Sequence, residues 1–156
     1  MTTHGISKSG PAPAKRQART PTGRVWRAGL LAAAVVAVAN TTVFTIERMI
    51  LGLPLPVPQG TGTEMAPLPV VMVLVVSVGA AIGATLLLAI LNRFVQRPIG
   101  WFWGVSAVVL LLSFSGPLSL PVDTATKAGL TAMHLVAAAA IVGPLSSMSR
   151  IPKGAL

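Results

Sequence analysis

The chain has 156 residues, of which 53% are hydrophobic and only 10% charged, with a formal net charge of +9 and no cysteine. A soluble domain carries about 25% charged residues, so this composition argues against a soluble globule. The missing cysteine excludes disulfides, thiolate catalysis, Cys-ligated metals and Fe–S clusters. The positive charge does not point to nucleic acid: basic residues crowd into short polar segments between long apolar runs, Tyr is absent, and Trp26, Trp101 and Trp103 are the only tryptophans.

Residues 1–24 are rich in Ser, Thr, Pro, Ala and Gly, carry several basic residues and contain no acid. Such a segment buries too little apolar surface to order itself, which predicts a disordered basic tail. Four apolar runs follow, with expected spans at about residues 28–47, 68–91, 99–117 and 127–146. A spanning helix needs about 20 apolar residues, and the second run, "LPVVMVLVVSVGAAIGATLLLAIL", satisfies this most clearly. The expected fold is therefore an all-α membrane protein: four transmembrane helices in an up-down bundle over residues 25–148, with a short tail at residues 149–156. The connection after the first run, "GLPLPVPQGTGTEMAPLP", is dense in Pro and Gly and is expected to be extended and irregular.

A competing interpretation takes residues 16–39 as a signal peptide with Ala37-Val38-Ala39 at the cleavage site. The apolar run continues past that site without charge for several residues, which favours an uncleaved first helix. Lys and Arg set the expected orientation. Ten of them fall in the N-terminal segment, the connection between the second and third runs, and the C-terminus, whereas only Arg48 and Lys127 fall on the other side. By the positive-inside rule both termini are expected in the cytoplasm, with the chain in the cytoplasmic membrane. Trp26, Trp101 and Trp103 fall at the cytoplasmic ends of the first and third helices, where amphipathic rings prefer the headgroup level.

Polar residues within spans are costly and face the bundle interior. Residues seven apart share a helix face: Asn40 with Glu47 on the first helix, Lys127 with His134 on the fourth, and Thr131 on the latter's stripe. With those helices antiparallel neighbours, Glu47 and Lys127 come level at the outer rim, and Asn40 and His134 come level about 10 Å deeper. The expectation is a polar seam pairing Glu47 with Lys127 and Asn40 with His134. Small residues predict close helix packing at Gly79 and Gly83, a GxxxG element, and at Gly129 and Gly143. Packing inside one chain and a homo-oligomer or membrane-protein interface are both compatible with them. Pro144 is expected to bend the end of the fourth helix.

His134 is the one histidine within the spans. Bis-histidine haem ligation needs a second axial histidine, and zinc needs about three protein ligands. The sequence offers neither, so no cofactor or metal is expected. A proton relay is chemically sensible for an imidazole, but a hydrogen bond tying helices together is the plainer role. No serine lies in a G-x-S-x-G context, and "VGAAIGAT" has no following Lys to make a phosphate loop. No enzymatic activity is expected. The basic tail suits anionic lipid.

The strings "RVWRAGLLAAAVVAVAN", "RPIGWFW", "LLLSFSGPLSL" and "MHLVAAAAIV", in this order and spacing, resemble a family of small four-span membrane proteins of unknown function common in actinobacteria. The resemblance covers residues 24–145 and implies a four-helix membrane domain; it supplies no activity and no site residues. Two better-known four-span types do not match. Small multidrug-resistance transporters carry an acid within the first helix, whereas Glu47 stands at its outer end beside Arg48, and those with dual topology show weak charge bias. Vitamin K epoxide reductase-like enzymes need cysteine pairs. The expected function is a non-enzymatic structural or accessory component of the membrane. The alternative is a small transporter or proton-coupled permease using the Asn, Glu and His of the seam.

Overall fold

The computed structural model describes residues 21–58 and 64–148; the expected disordered tail, up to residue 20, and the C-terminal tail lie outside these. Helix α1 (Thr22–Thr45) starts after Pro21, whose carbonyl accepts from the Arg24 and Val25 N–H groups. Residues 22–24, expected in the tail, belong to this first turn. The helix runs unbroken through Ala37, Val38 and Ala39 and then widens into a π-helical turn, Ile46–Ile50. Gly52 ends it with φ +64°, and the Leu53 N–H donates back to the Glu47 carbonyl at 2.9 Å. This closing bond spans six residues, one more than the Schellman bond at an α-helix end, in keeping with the wider π-helical turn, and the reversal uses a left-handed residue best supplied by Gly.

The connection expected to be irregular instead forms a two-stranded antiparallel ribbon, β1 (Pro56–Pro58) and β2 (Met65–Pro67), with Pro56 opposite Pro67. Each strand is only three residues long, so the prolines, which cannot donate to a ladder, interrupt little pairing. Leu55, just before β1, takes a left-handed φ of +44° and is fully buried. Its carbonyl accepts from the Leu68 N–H at 3.0 Å, which ties the far end of the ribbon to it.

Helix α2 (Val70–Phe94) and helix α3 (Pro98–Ser113) follow, with Pro98 in the first helical position, where its missing N–H costs nothing. A short helix, α4 (Ser115–Ser119), continues α3, and α5 (Thr124–Met148) is the last described element, running on through Pro144. Among the described residues four segments are long and apolar enough to cross a bilayer: Thr22–Ile50, Val70–Phe94, Pro98–Ser119 and Thr124–Ser147. Helices are the natural outcome here, because hydrocarbon offers no partner for backbone N–H and C=O groups and each segment must satisfy its own. The fold is the expected all-α bundle of four membrane-spanning helices.

Helix α1 packs against both α2 and α5, while α3 lies against α2 and α5 at the edge. The main core joins Val25, Ala28, Ala32 and Val36 of α1 to Ala81 and Leu88 of α2, Phe102 of α3, and Ile141, Val142 and Leu145 of α5. These residues come from the start of α1, the end of α2, the start of α3 and the end of α5, so those four ends share one side of the bundle. We call this the terminal half and the opposite end, which carries the ribbon, the hairpin half. Large aliphatic side chains also cover the outside, among them Leu30, Val38, Val75, Ile82, Ile90, Leu111 and Leu112. An apolar surface this extensive is a liability in water and the proper boundary in a bilayer. Trp26, Trp101 and Trp103 are exposed in the first turns of α1 and α3, on the terminal side, as the aromatic-belt argument requires.

Close packing falls on different glycines from those expected. A Cβ at Gly79, Gly83 or Gly143 would meet nothing within 4 Å, so these faces are open and do not pack helices together within the chain. The tight crossing of α1 and α2 is at Gly29, where a Cβ would overlap the Thr85 side chain. Gly29 stands beside Ala28 and one turn before Ala32 on the buried face of α1, whereas Gly79 and Gly83 lie off the Val73–Ser77–Ala81–Thr85 stripe that α2 buries. Gly129, by contrast, packs tightly as expected.

Candidate functional site: a buried carboxylate and amide in the hairpin half

The buried stripe of α1 runs Val25, Ala28, Ala32, Val36, Asn40 and, in the π-helical turn, Glu47. Steps of three, four and seven residues keep one helix face inward. The stripe therefore changes from aliphatic to polar as it enters the hairpin half, and Asn40 and Glu47 are buried because they continue it.

Asn40 does not meet His134. Its Nδ2 donates to Ser77 Oγ of α2 at 2.9 Å, a buried bond between helices. Its Oδ1 is buried without a partner, as are Thr41 Oγ1 and Glu47 Oε2. His134 is half-buried, and its Nδ1 lies 2.7 Å from the Leu130 carbonyl one turn earlier in its own helix. A carbonyl only accepts, so Nδ1 carries the hydrogen in that bond. Thr131 does the same through its hydroxyl, which donates to the Lys127 carbonyl at 2.8 Å. His134 and Thr131 are thus served by their own helix.

Glu47 does not pair with Lys127 either. Its carboxylate lies against Gly129: a Cβ on that glycine would sit 3.1 Å from both Cδ and Oε1. The expected antiparallel neighbourhood of α1 and α5 is present, but its register is two residues along from the one that would set Glu47 level with Lys127. Two residues turn a helix by about 200°, so when Gly129 faces Glu47, Lys127 lies round the other side. Arg48 is also engaged elsewhere, donating to the Pro54 carbonyl at 2.7 Å. The seam becomes two separate features: an Asn40–Ser77 bond between α1 and α2, and a carboxylate buried between α1 and α5.

Beside Glu47 is an open hollow of about 480 Å³ on the outer surface of the helices, lined by Glu47, Leu51, Leu53, Ala125, Ala128, Gly129 and Ala132, of which Leu51, Ala125 and Ala128 are exposed. The small residues of α5 make the space: positions 125, 128, 129 and 132 are spaced by three, one and three along one helix face. The π-helical turn shapes the other wall, since an extra residue per turn shifts which side chains face inward, a distortion common at functional sites. Apart from Glu47, every wall is apolar. Among the described residues no three His, Cys, Asp or Glu side chains come together. A second hollow, about 560 Å³, is lined by Arg97 and the outer face of α3, including Gly100, Trp101 and Gly104. One helix alone forms it, so it is a gap in the outward surface.

The start of α5, which carries one wall of the hollow beside Glu47, is held by Asp123. Its two carboxylate oxygens accept from the Thr126 hydroxyl at 2.7 Å and the Thr126 N–H at 2.9 Å, an N-cap that satisfies free helix donors. The bond from the Thr126 hydroxyl, then that from its backbone N–H, hold the Asp123 carboxyl below its ordinary range.

Sequence reasoning missed Ser77, Gly29 and Thr85. Ser77 and Thr85 fall in a four-residue repeat with Val73 and Ala81, but nothing local marks which face of so uniformly apolar a helix turns inward.

None of the curated proteins and none of the solved structures matches this chain. A family described as a family of unknown function, DUF6069, matches residues 20–150. That match spans all four membrane helices and both polar features, and the chain belongs to the DUF6069 family.

Proposed function

We propose that this protein is a non-enzymatic structural or accessory component of the cytoplasmic membrane of an actinobacterium, with both termini in the cytoplasm. The observation that supports it is the terminal half of the bundle. There Val25, Ala28, Ala32 and Val36 pack against Leu88, Phe102, Ile141 and Leu145, and the buried polar groups are the hydroxyls of Thr85 and Ser146. A coupled carrier exposes its site alternately to both sides, and protons move through the bilayer along ionisable side chains. Among the described residues Glu47 has no such continuation towards the terminal side. The bilayer, with anionic lipid near the basic terminal side, is the partner environment; a second copy or another membrane protein is the partner an accessory role implies. The charge bias of ten basic residues to two supports the orientation.

The test is proton flux in proteoliposomes holding a pH-sensitive dye. The expected decay of an imposed gradient equals that of protein-free vesicles. A flux that Glu47→Gln abolishes would overturn the proposal and install the second reading, a small transporter or proton-coupled permease through Asn40, Glu47 and His134. The observation favouring that reading is the unpartnered Glu47 carboxylate oxygen. Because the chain has no cysteine, Glu64→Cys tests orientation cleanly: an impermeant maleimide labels it from outside intact cells if the ribbon is external.

A further inference from the structure

We propose that the open hollow beside Glu47 is a binding site for a small lipophilic amine, a single cationic nitrogen carried on an apolar body. The inference goes beyond a structural role and does not require anything to cross the membrane. Three observations converge on it. Glu47 is almost wholly buried, yet its Oε2 has no hydrogen-bond partner. The hollow beside it, about 480 Å³ and open on the outer surface, is lined otherwise by Leu, Ala and Gly alone. The nearby cations of the chain are turned elsewhere: Arg48 holds the Pro54 carbonyl, and the register sets Gly129, not Lys127, against the carboxylate.

A buried carboxylate is costly unless paired and hydrogen-bonded. An ammonium N–H supplies both the charge and the donor that Oε2 lacks, and charge-assisted bonds of this kind are the strong ones. The apolar walls select the rest of the ligand. A strongly hydrated metal ion would find one carboxylate and no further oxygen on these walls, and an alcohol would bring no charge. An alkylammonium places its nitrogen at Glu47 and its chain along Leu51, Leu53 and the alanines of α5. The absent side chain of Gly129 is what allows the carboxylate and the hollow to coexist.

The experiment uses the full chain in nanodiscs and measures binding of octylammonium by calorimetry, with empty nanodiscs subtracted and octanol as the neutral isostere. The expected result is saturable binding of octylammonium at one site per chain, with none for octanol. Glu47→Gln, which keeps shape and removes charge, should weaken binding about tenfold or more. Ala132→Leu, which fills the space and leaves the acid, should weaken it comparably. Circular dichroism and size-exclusion profiles identify variants that retain the fold, and Ala128→Leu replaces Ala132→Leu if that one does not. Binding no greater than to empty nanodiscs overturns the proposal, as does equal binding of octanol or binding that Glu47→Gln leaves unchanged. Binding that appears only in Lys127→Gln also overturns it, since Lys127 would then be the resident cation.

Discussion

Two glycines on the helix interfaces admit very different neighbours. In the terminal half, Gly29 of α1 receives the Thr85 side chain of α2, whose hydroxyl already donates to the Ala81 carbonyl of its own helix at 2.7 Å. In the hairpin half, Gly129 of α5 receives the Glu47 carboxylate, one oxygen of which has no partner. The first contact is finished: polar capacity is met within the helix, and what faces the partner is shape. The second is unfinished, and an unpartnered buried carboxyl oxygen beside an open hollow is where a ligand contributes most. Between bilayer helices there is little hydrophobic drive, so close approach at small residues and a few polar bonds carry association. The terminal half uses the first device and the hairpin half mixes both.

The largest expected effect tests whether the tight crossing is at Gly29. Gly29→Leu should destabilise the bundle by about 3 kcal/mol, the upper end for overpacking a close contact, measured by denaturant unfolding in micelles. Gly79→Leu and Gly83→Leu, on the open face, should stay within about 0.5 kcal/mol of the parent. Comparable losses at Gly79 and Gly29 would break the contrast.

A smaller effect sharpens the polar half. A double-mutant cycle between Asn40→Ala and Ser77→Ala should show coupling of about 0.6–1 kcal/mol, the range for interhelical bonds in membranes. The cycle between Asn40→Ala and His134→Ala should show none. Coupling to His134 in place of Ser77 would restore the α1–α5 seam.

At the hairpin end, Gly52→Ala should cost about 1 kcal/mol, because φ +64° sets the new Cβ against the following carbonyl. The same measurement at Gly23, which has open space and no left-handed φ, should show no loss. The smallest effect concerns Asp123, which is exposed. Its folded pKa lies below the unfolded value. Its capping contribution is therefore full above the unfolded carboxylate range, about pH 4, and is lost as pH falls through the folded pKa. Thermal melts of the parent should decline along that acid limb, and Asp123→Ala should flatten it while lowering neutral-pH stability slightly.

Much of this was legible before folding, and the limits of legibility are specific. The four spans were readable because each is a long apolar run, and bilayer thickness with backbone hydrogen bonding leaves such a run little choice but a helix. The inward placing of Asn40 and Glu47 was readable from their seven-residue spacing. Ser77 was not, because α2 is apolar on every side and periodicity carries no signal there. Nor was the ribbon, where Pro-rich composition argued for irregularity and six residues nonetheless paired.

The sequence by itself determined that this is a four-helix membrane protein, that α1 buries an amide and an acid in one half, and that α5 carries small residues along one face. Only the tertiary structure decided which side chains meet. Partner choice depends on how each helix is rotated about its own axis and slid along its neighbour. A slide of two residues, about 3 Å of rise and 200° of rotation, exchanges Lys127 for Gly129 opposite Glu47. It turns an expected ion pair into a buried carboxylate beside an open apolar hollow.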